Sequence, residues 1–112
     1  PNVTGIAPGY EETQFDDESK RGKLRLIAAP DGRDGSVTIH QDAYVYASLL
    51  NGTDKVSHAL AQGRSAYVHV VRGDVNVNGQ ALTTGDAAKL SGETLVELAQ
   101  AKDAEILLFD LP

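Results

Sequence analysis

The stretch VNVNGQAL, Val75 to Leu82, decides the fold of this chain. Apolar and polar residues alternate around the Asn78-Gly79 pair. A two-residue type I′ turn needs positive φ at both central positions, which Asn-Gly tolerates best, so a β-hairpin is expected here. Working outward, the same period of two recurs in short segments. Leu24 and Leu26 alternate with Lys23 and Arg25; Val37 and Ile39 with Ser36, Thr38 and His40; Val45, Ala47 and Leu49 with Tyr44, Tyr46 and Ser48. Such alternation marks strands with one buried face, here the one carrying the apolar members. Turn residues punctuate the series at Pro30 to Gly35 (PDGRDG), Asn51-Gly52 and Gly85-Asp86, and Leu95 to Ala99 and Glu105 to Leu111 complete a set of about eight segments. No segment sustains a 3.6-residue apolar period. The expected class is all-β, an antiparallel barrel or sandwich with at most one short helix, and a fibronectin-like sandwich is the architectural rival.

Composition bounds what such a domain can do. At 112 residues the chain has room for one ordinary core. Apolar residues make up 41% of it, yet Trp, Met and Cys are absent and only two Phe and four Tyr occur. Val, Leu, Ile and Ala must therefore fill the interior, a palette that suits strands. Without Cys, disulfides, thiolate catalysis and iron–sulfur clusters are excluded. The net charge of -6 repels phosphate backbones, and the ten Lys and Arg are scattered, so direct nucleic-acid binding is not expected. Neither a leader pattern nor an apolar run near the ~20 residues of a membrane span is present, so a cytoplasmic protein away from membranes is expected. Residues 1–22 read as a connector: PNVTGIAPGY carries two Pro and two Gly, and five acids fall between Glu11 and Glu18. The acid run reads as a solvated turn or one short helix capped near Asp16 or Asp17.

Three stretches carry a family likeness: GKLRLIAAPDGRDGSVTIHQDA (Gly22 to Ala43), GRSAYVHVVRGDVNVNGQALTTGDAA (Gly63 to Ala88) and AEILLFDLP (Ala104 to Pro112). They resemble the C-terminal half of pirin-like bicupins, and PNVTGIAPGYEETQF resembles the linker that follows the first cupin there. The resemblance implies a cupin-type barrel (a double-stranded β-helix, or jelly roll) over 23–112. It also implies that 1–22 is the linker from a missing N-terminal cupin, which would hold a divalent transition metal and act as a quercetin 2,3-dioxygenase. A cupin metal centre takes a His-x-His-x3-Glu cluster and one later His, a donor set suited to iron, nickel, copper or manganese. Matching the family's following Gly to Gly73 puts the cluster at Ala59, Ala61 and Ser65, or one residue later at Leu60, Gln62 and Ala66. Neither register supplies a ligand, and no His follows His69. No metal ligand, cofactor or catalytic residue is therefore expected in this half.

The three His are read individually. His40 fits surface turn chemistry. His58, between Val56 and Leu60, fits a core imidazole bonded to backbone. His69 shares a strand face with Tyr67, and the family register turns that face into the barrel, so Tyr67, His69 and His58 form the candidate pocket, against the plainer reading of a packed Tyr and a satisfied His. Of the carboxylates only Glu97 and Asp110 are embedded in strands, where a salt bridge or an exposed edge explains them. There is no G-x-S-x-G elbow, and GRDGS (Gly32 to Ser36) is a turn and not a phosphate loop. Three functional readings follow. The chain is the inactive, non-metal half of a dioxygenase, partnered by the N-terminal cupin of its parent and shaping access to it; or a protein-interaction domain of a pirin-like regulator; or a stand-alone barrel binding a small molecule at Tyr67 and His69.

Overall fold

The computed structural model describes residues 15–112. The first part of the expected connector, residues 1–14 with Glu11 and Glu12, lies outside them. The rest of the acid run forms a single 3₁₀ turn, Asp17–Ser19, whose Asp16 side chain caps it by accepting from the Ser19 amide at 3.0 Å. Eight strands follow among the described residues: β1 (Arg25–Ala29), β2 (Val37–Thr38), β3 (Tyr44–Leu50), β4 (Val56–Ala59), β5 (Ser65–Val77), β6 (Gln80–Thr83), β7 (Ala87–Ser91) and β8 (Leu95–Leu111). They hydrogen-bond in the order β2-β1-β3-β8-β5-β6, with β4 joined to β8 and β7 to β5. Every pairing is antiparallel except β1–β2, so the sheet is mixed and does not close on itself.

The long strands β5 and β8 fold this sheet into two halves. Their outer stretches pair with β3 and β7, and their hairpin-side stretches with β4 and β6. Between the two, the β5–β8 register shifts at three places from Val70 to Asn76. The inward parity switches there: Ala66, Val68 and Val70 are buried before the shift, Val75 and Val77 after it. An extra residue in one strand bends it and re-aims the side chains that follow. Gly73 allows this bend because its φ of 86° is left-handed and a Cβ would overlap the Asp103 carbonyl. The Asn78-Gly79 hairpin forms as expected, with Val77 opposite Gln80 and φ positive at 47° and 86°.

One core cluster takes side chains from both halves, including Val68, Val77, Leu98, Ile106 and Leu108. The halves therefore face each other. Each fully buried Leu, Ile or Val contributes about 1.5–3 kcal/mol of transfer free energy. Strand β3 differs from the sequence reading, because its core-facing residues are Tyr46, Ser48 and Leu50 and not Val45 and Leu49. Opposite residues in a ladder share a face, and these three sit opposite the inward Leu108, Ile106 and Ala104. Apolar residues populate both faces of β3, so alternation alone could not tell inside from outside.

Candidate functional site

Polar chemistry collects at one end of the interior. Strand β8 carries its inward row through Ile106 and Leu108 to Asp110, which is also buried. Asp110 lies between Tyr44 of β3 and Ala66 of β5, so its carboxylate lies between the halves and not on an outer face. Strand β4 presents His58 inward, two residues after Val56, which packs on the core. The His58 Nε2 lies 2.7 Å from Asp110 Oδ2. A carboxylate only accepts, so Nε2 carries the hydrogen and donates.

Arg64 closes the network from the turn before β5. Its Nε donates to Asp110 Oδ1 at 2.6 Å, its Nη1 to both Asp42 oxygens at 3.0 and 3.1 Å, and its Nη2 to the Asp42 and Asp110 carbonyls at 3.2 Å. The planar fork thus spends its donors on two acids. Hydrogen bonding to Asp110 first, and then to Asp42, raises the Arg64 pKa. Tyr44 lies beneath two guanidinium groups, Arg64 at 5.6 Å and Arg33 at 5.5 Å from its ring centre. Tyr46 packs on His58 with ring centres 4.8 Å apart. Burial first, and then the Asp110 charge, push the Tyr46 phenol pKa up. Tyr44, Tyr46, Arg64 and Asp110 border an open cleft of about 610 Å³ that Arg25 and Leu26 also line.

The three residues expected to form a pocket are not brought together. His58 faces inward as expected, but its partner is the Asp110 carboxylate and not backbone. Tyr67 and His69 occupy the outer face, which corrects their expected inward orientation. Their neighbours Ala66, Val68 and Val70 take the inside, and Tyr67 is 41% exposed with its ring edge-on to Phe109 at 6.0 Å. The physical reason is packing: three small aliphatic residues fill a narrow interior that a Tyr would overfill. His40 is exposed beside a bend. The salt-bridge readings hold, Asp110 to Arg64 at 2.6 Å and Glu97 to Lys55 at 3.4 Å. Sequence reasoning missed Arg64, Asp42, Tyr44 and Tyr46. The only signal for them was a lone acid at an inward strand position, which requires a cation nearby.

Among the described residues, the inward side chains do not make a donor set for a divalent ion. Of the two cupin registers, the later one meets buried Leu60 and Ala66 but exposed Gln62, and the earlier one exposed Ala59 and Ala61 and half-buried Ser65. The nearest imidazole, His58, and carboxylate, Asp110, are bonded to each other and to a guanidinium, whose charge would repel a metal. No group of three or more His, Cys, Asp or Glu with metal-binding geometry occurs among the described residues.

A bent double sheet with its polar residues gathered at one mouth defines a cupin-type domain. Comparison with known proteins gives the family: residues 26–111 match the quercetinase C-terminal cupin domain, and the chain belongs to that family. It is 38% identical to a quercetin 2,3-dioxygenase of Escherichia coli K12 over its whole length, covering 47% of that protein, and 30% identical to a pirin-like protein of Caulobacter vibrioides, covering 48% of it. The chain thus spans about half the length of the curated relatives it matches. Among solved structures, YhhW from Escherichia coli superposes with a TM-score of 0.83 at 34% identity, over 89% of this chain and 42% of that one. The same bacterial pirin in complex with nickel(II) gives 0.77 at 36% identity, over 80% of this chain and 39% of that one. No helix among the described residues is long and apolar enough to cross a membrane.

Proposed function

We propose that this domain is the non-metal half of a bicupin with quercetin 2,3-dioxygenase-like activity. It packs against a metal-bearing N-terminal cupin and shapes access to it. The observation that carries this reading is the state of the interior: the one inward imidazole among the described residues, His58, is held by Asp110 and, through it, by Arg64. The half-length coverage of relatives named quercetin 2,3-dioxygenase supports a second cupin in the parent. In this chain the His58–Asp110–Arg64–Asp42 network has a structural role. It satisfies a buried carboxylate and ties β4, β8, the turn before β5 and the entry to β3 at one end of the sandwich.

The test is metal retention. The chain is stripped with chelator, incubated in turn with ferrous, nickel and cupric ions, desalted and analysed by elemental mass spectrometry. Substoichiometric metal is expected with each ion, and no turnover of a flavonol by the chain alone. One retained ion per chain, lost on His58→Ala, would overturn the reading.

A further inference from the structure

The open cleft beside the polar network carries a chemistry that the network does not use. Lys23, Arg25, Arg33 and Arg64 border it against two acids, Asp34 and Asp110, in a chain whose net charge is -6. Arg33 is paired with Asp31, and Arg64 with Asp42 and Asp110, so these two guanidinium groups are neutralised in place. Arg25 is not. Its Nη1 donates to the Asp34 carbonyl, a neutral acceptor, and no carboxylate among the described residues comes within ion-pair range of it. Its Nε and Nη2 find no acceptor among those residues, which leaves one edge of the planar fork unspent. The group is nonetheless held in position. The centre of the Phe15 ring lies 5.0 Å from it, and Gly35, at a left-handed φ of 75°, brings the loop so near that a Cβ there would sit 3.1 Å from Nη2. A guanidinium fixed in this way gives up little freedom on taking a ligand, and its fork matches the two oxygens of a carboxylate.

The rest of the lining is apolar or aromatic: Leu24, Leu26, Ala61 and the rings of Tyr44 and Tyr46. The Tyr46 phenol is half-buried, its pKa is raised by burial and by the Asp110 charge, and its hydroxyl has no hydrogen-bond partner among the described residues. It is therefore a neutral donor at physiological pH, with its hydrogen still to place. At about 610 Å³ the space suits a small organic molecule and exceeds what a bare inorganic anion fills. We propose that this cleft binds a small aromatic carboxylate, its two oxygens on the unspent edge of Arg25 and its ring against Leu24, Leu26 and Tyr46. Lys23, exposed at the rim, adds attraction, and the Asp34 carboxylate opposes it. The Tyr46 hydroxyl donates to a polar substituent on the ring. The site is independent of the half-enzyme reading, because it uses neither a metal nor a second cupin.

Isothermal titration of the chain with 4-hydroxybenzoate tests this, with 4-hydroxybenzamide as the uncharged analogue and inorganic phosphate as the anion without a ring. Saturable binding is expected, tighter for the carboxylate than for either control by about tenfold or more. Arg25→Gln is expected to weaken it about tenfold. Asp34→Asn removes the opposing charge and keeps a residue that accepts the left-handed φ of 58°, so it is expected to tighten binding about threefold. Tyr46→Phe is expected to weaken 4-hydroxybenzoate but not benzoate, a difference that a merely structural role for the phenol would not produce. Arg72→Gln, at a surface arginine paired with Glu105 away from the cleft, should keep the wild-type affinity. No saturable binding of the carboxylate up to about 10 mM overturns the proposal. So does an amide or a phosphate bound as tightly as the carboxylate, or an affinity unmoved by Arg25→Gln in a variant that melts like wild type. If Arg25→Gln does not fold, an affinity unmoved by Asp34→Asn overturns it instead. None of these outcomes bears on metal retention, the test of the half-enzyme reading.

Discussion

Replacing Arg64 by Ala removes the only guanidinium on a carboxylate that has almost no access to water. The side chains of Arg64 and Asp110 are 18% and 9% exposed, and their contact is 2.6 Å. Breaking such a buried pair costs about 3–5 kcal/mol, because the remaining charge stays desolvated. Two features place this case at the lower end. His58 still donates to Asp110 after the change, and the second acid, Asp42, is 61% exposed and regains water at a cost below about 1 kcal/mol. The expected loss is therefore about 3 kcal/mol. With about 2.1 cal/mol/K of unfolding entropy per residue, that lowers Tm by roughly 12 °C in a chain of this size. Urea unfolding at neutral pH reads the change, with the m-value fixed to show that the denatured state is not altered. A double-mutant cycle of Arg64→Ala with Asp110→Ala isolates the pair, and a coupling of at least about 2 kcal/mol is expected. A loss below about 1 kcal/mol for Arg64→Ala would place the pair among solvated surface bridges and refute the view that this network closes the mouth.

Other positions give independent readings. The Ser48 hydroxyl is fully buried with no hydrogen-bond partner among the described residues, so Ser48→Ala should be neutral or stabilise by up to about 1 kcal/mol in urea titration, and a loss above that would reveal a partner. Gly73→Ala and Gly79→Ala both meet a φ of 86°, but only at Gly73 does a Cβ run into backbone. The hairpin variant should cost about 1 kcal/mol, and the bend variant should unfold at a clearly lower urea midpoint; equal losses would contradict the close approach of β5 to Asp103. The Tyr46 phenol pKa is raised in the folded state, so its contribution is intact below the unfolded value near about 10 and is lost as pH climbs through the folded value. Tyr46→Phe should therefore flatten the fall in stability above about pH 10, and an unchanged alkaline limb would count against the burial of that hydroxyl.

The turns were legible because they rest on local chemistry. Asn78-Gly79 needs positive φ whatever lies around it, and so do the glycines of the Pro30 to Gly35 loop. Strand existence was legible for the same reason, through period two. Which face of a strand points inward was not, and β3 and β5 show why. On β3 both faces carry apolar residues, Val45 and Leu49 being as apolar as Leu50, and on β5 Tyr67 gives no local hint that Ala66 and Val68 take the core in its place. Inward direction is set by the bend at Gly73, a tertiary event in which β5 approaches the Lys102–Asp103 backbone. The candidate site was half legible. Asp110 stood out as an acid within an apolar strand and His58 as an imidazole on an apolar face, but 52 positions separate them. Arg64, 46 positions from Asp110, comes from a turn whose sequence, AQGR, looks like surface.

These long separations bear on what the network does for the fold. Strand β4 touches the sheet through one short pairing with the start of β8, and four residues of ladder cannot anchor an edge strand firmly. The His58–Asp110 bond ties β4 to the far end of β8, and Arg64 ties the start of β5 to both that end and the entry of β3. The polar cluster thus supplies at the mouth the cross-links that the hydrogen-bonded sheet, which does not close, fails to supply there. In a metal-bearing cupin, ligation by side chains from several strands would draw the same strands together. The ionic triad of His58, Asp110 and Arg64 draws strands together at this end by side-chain bonds of its own.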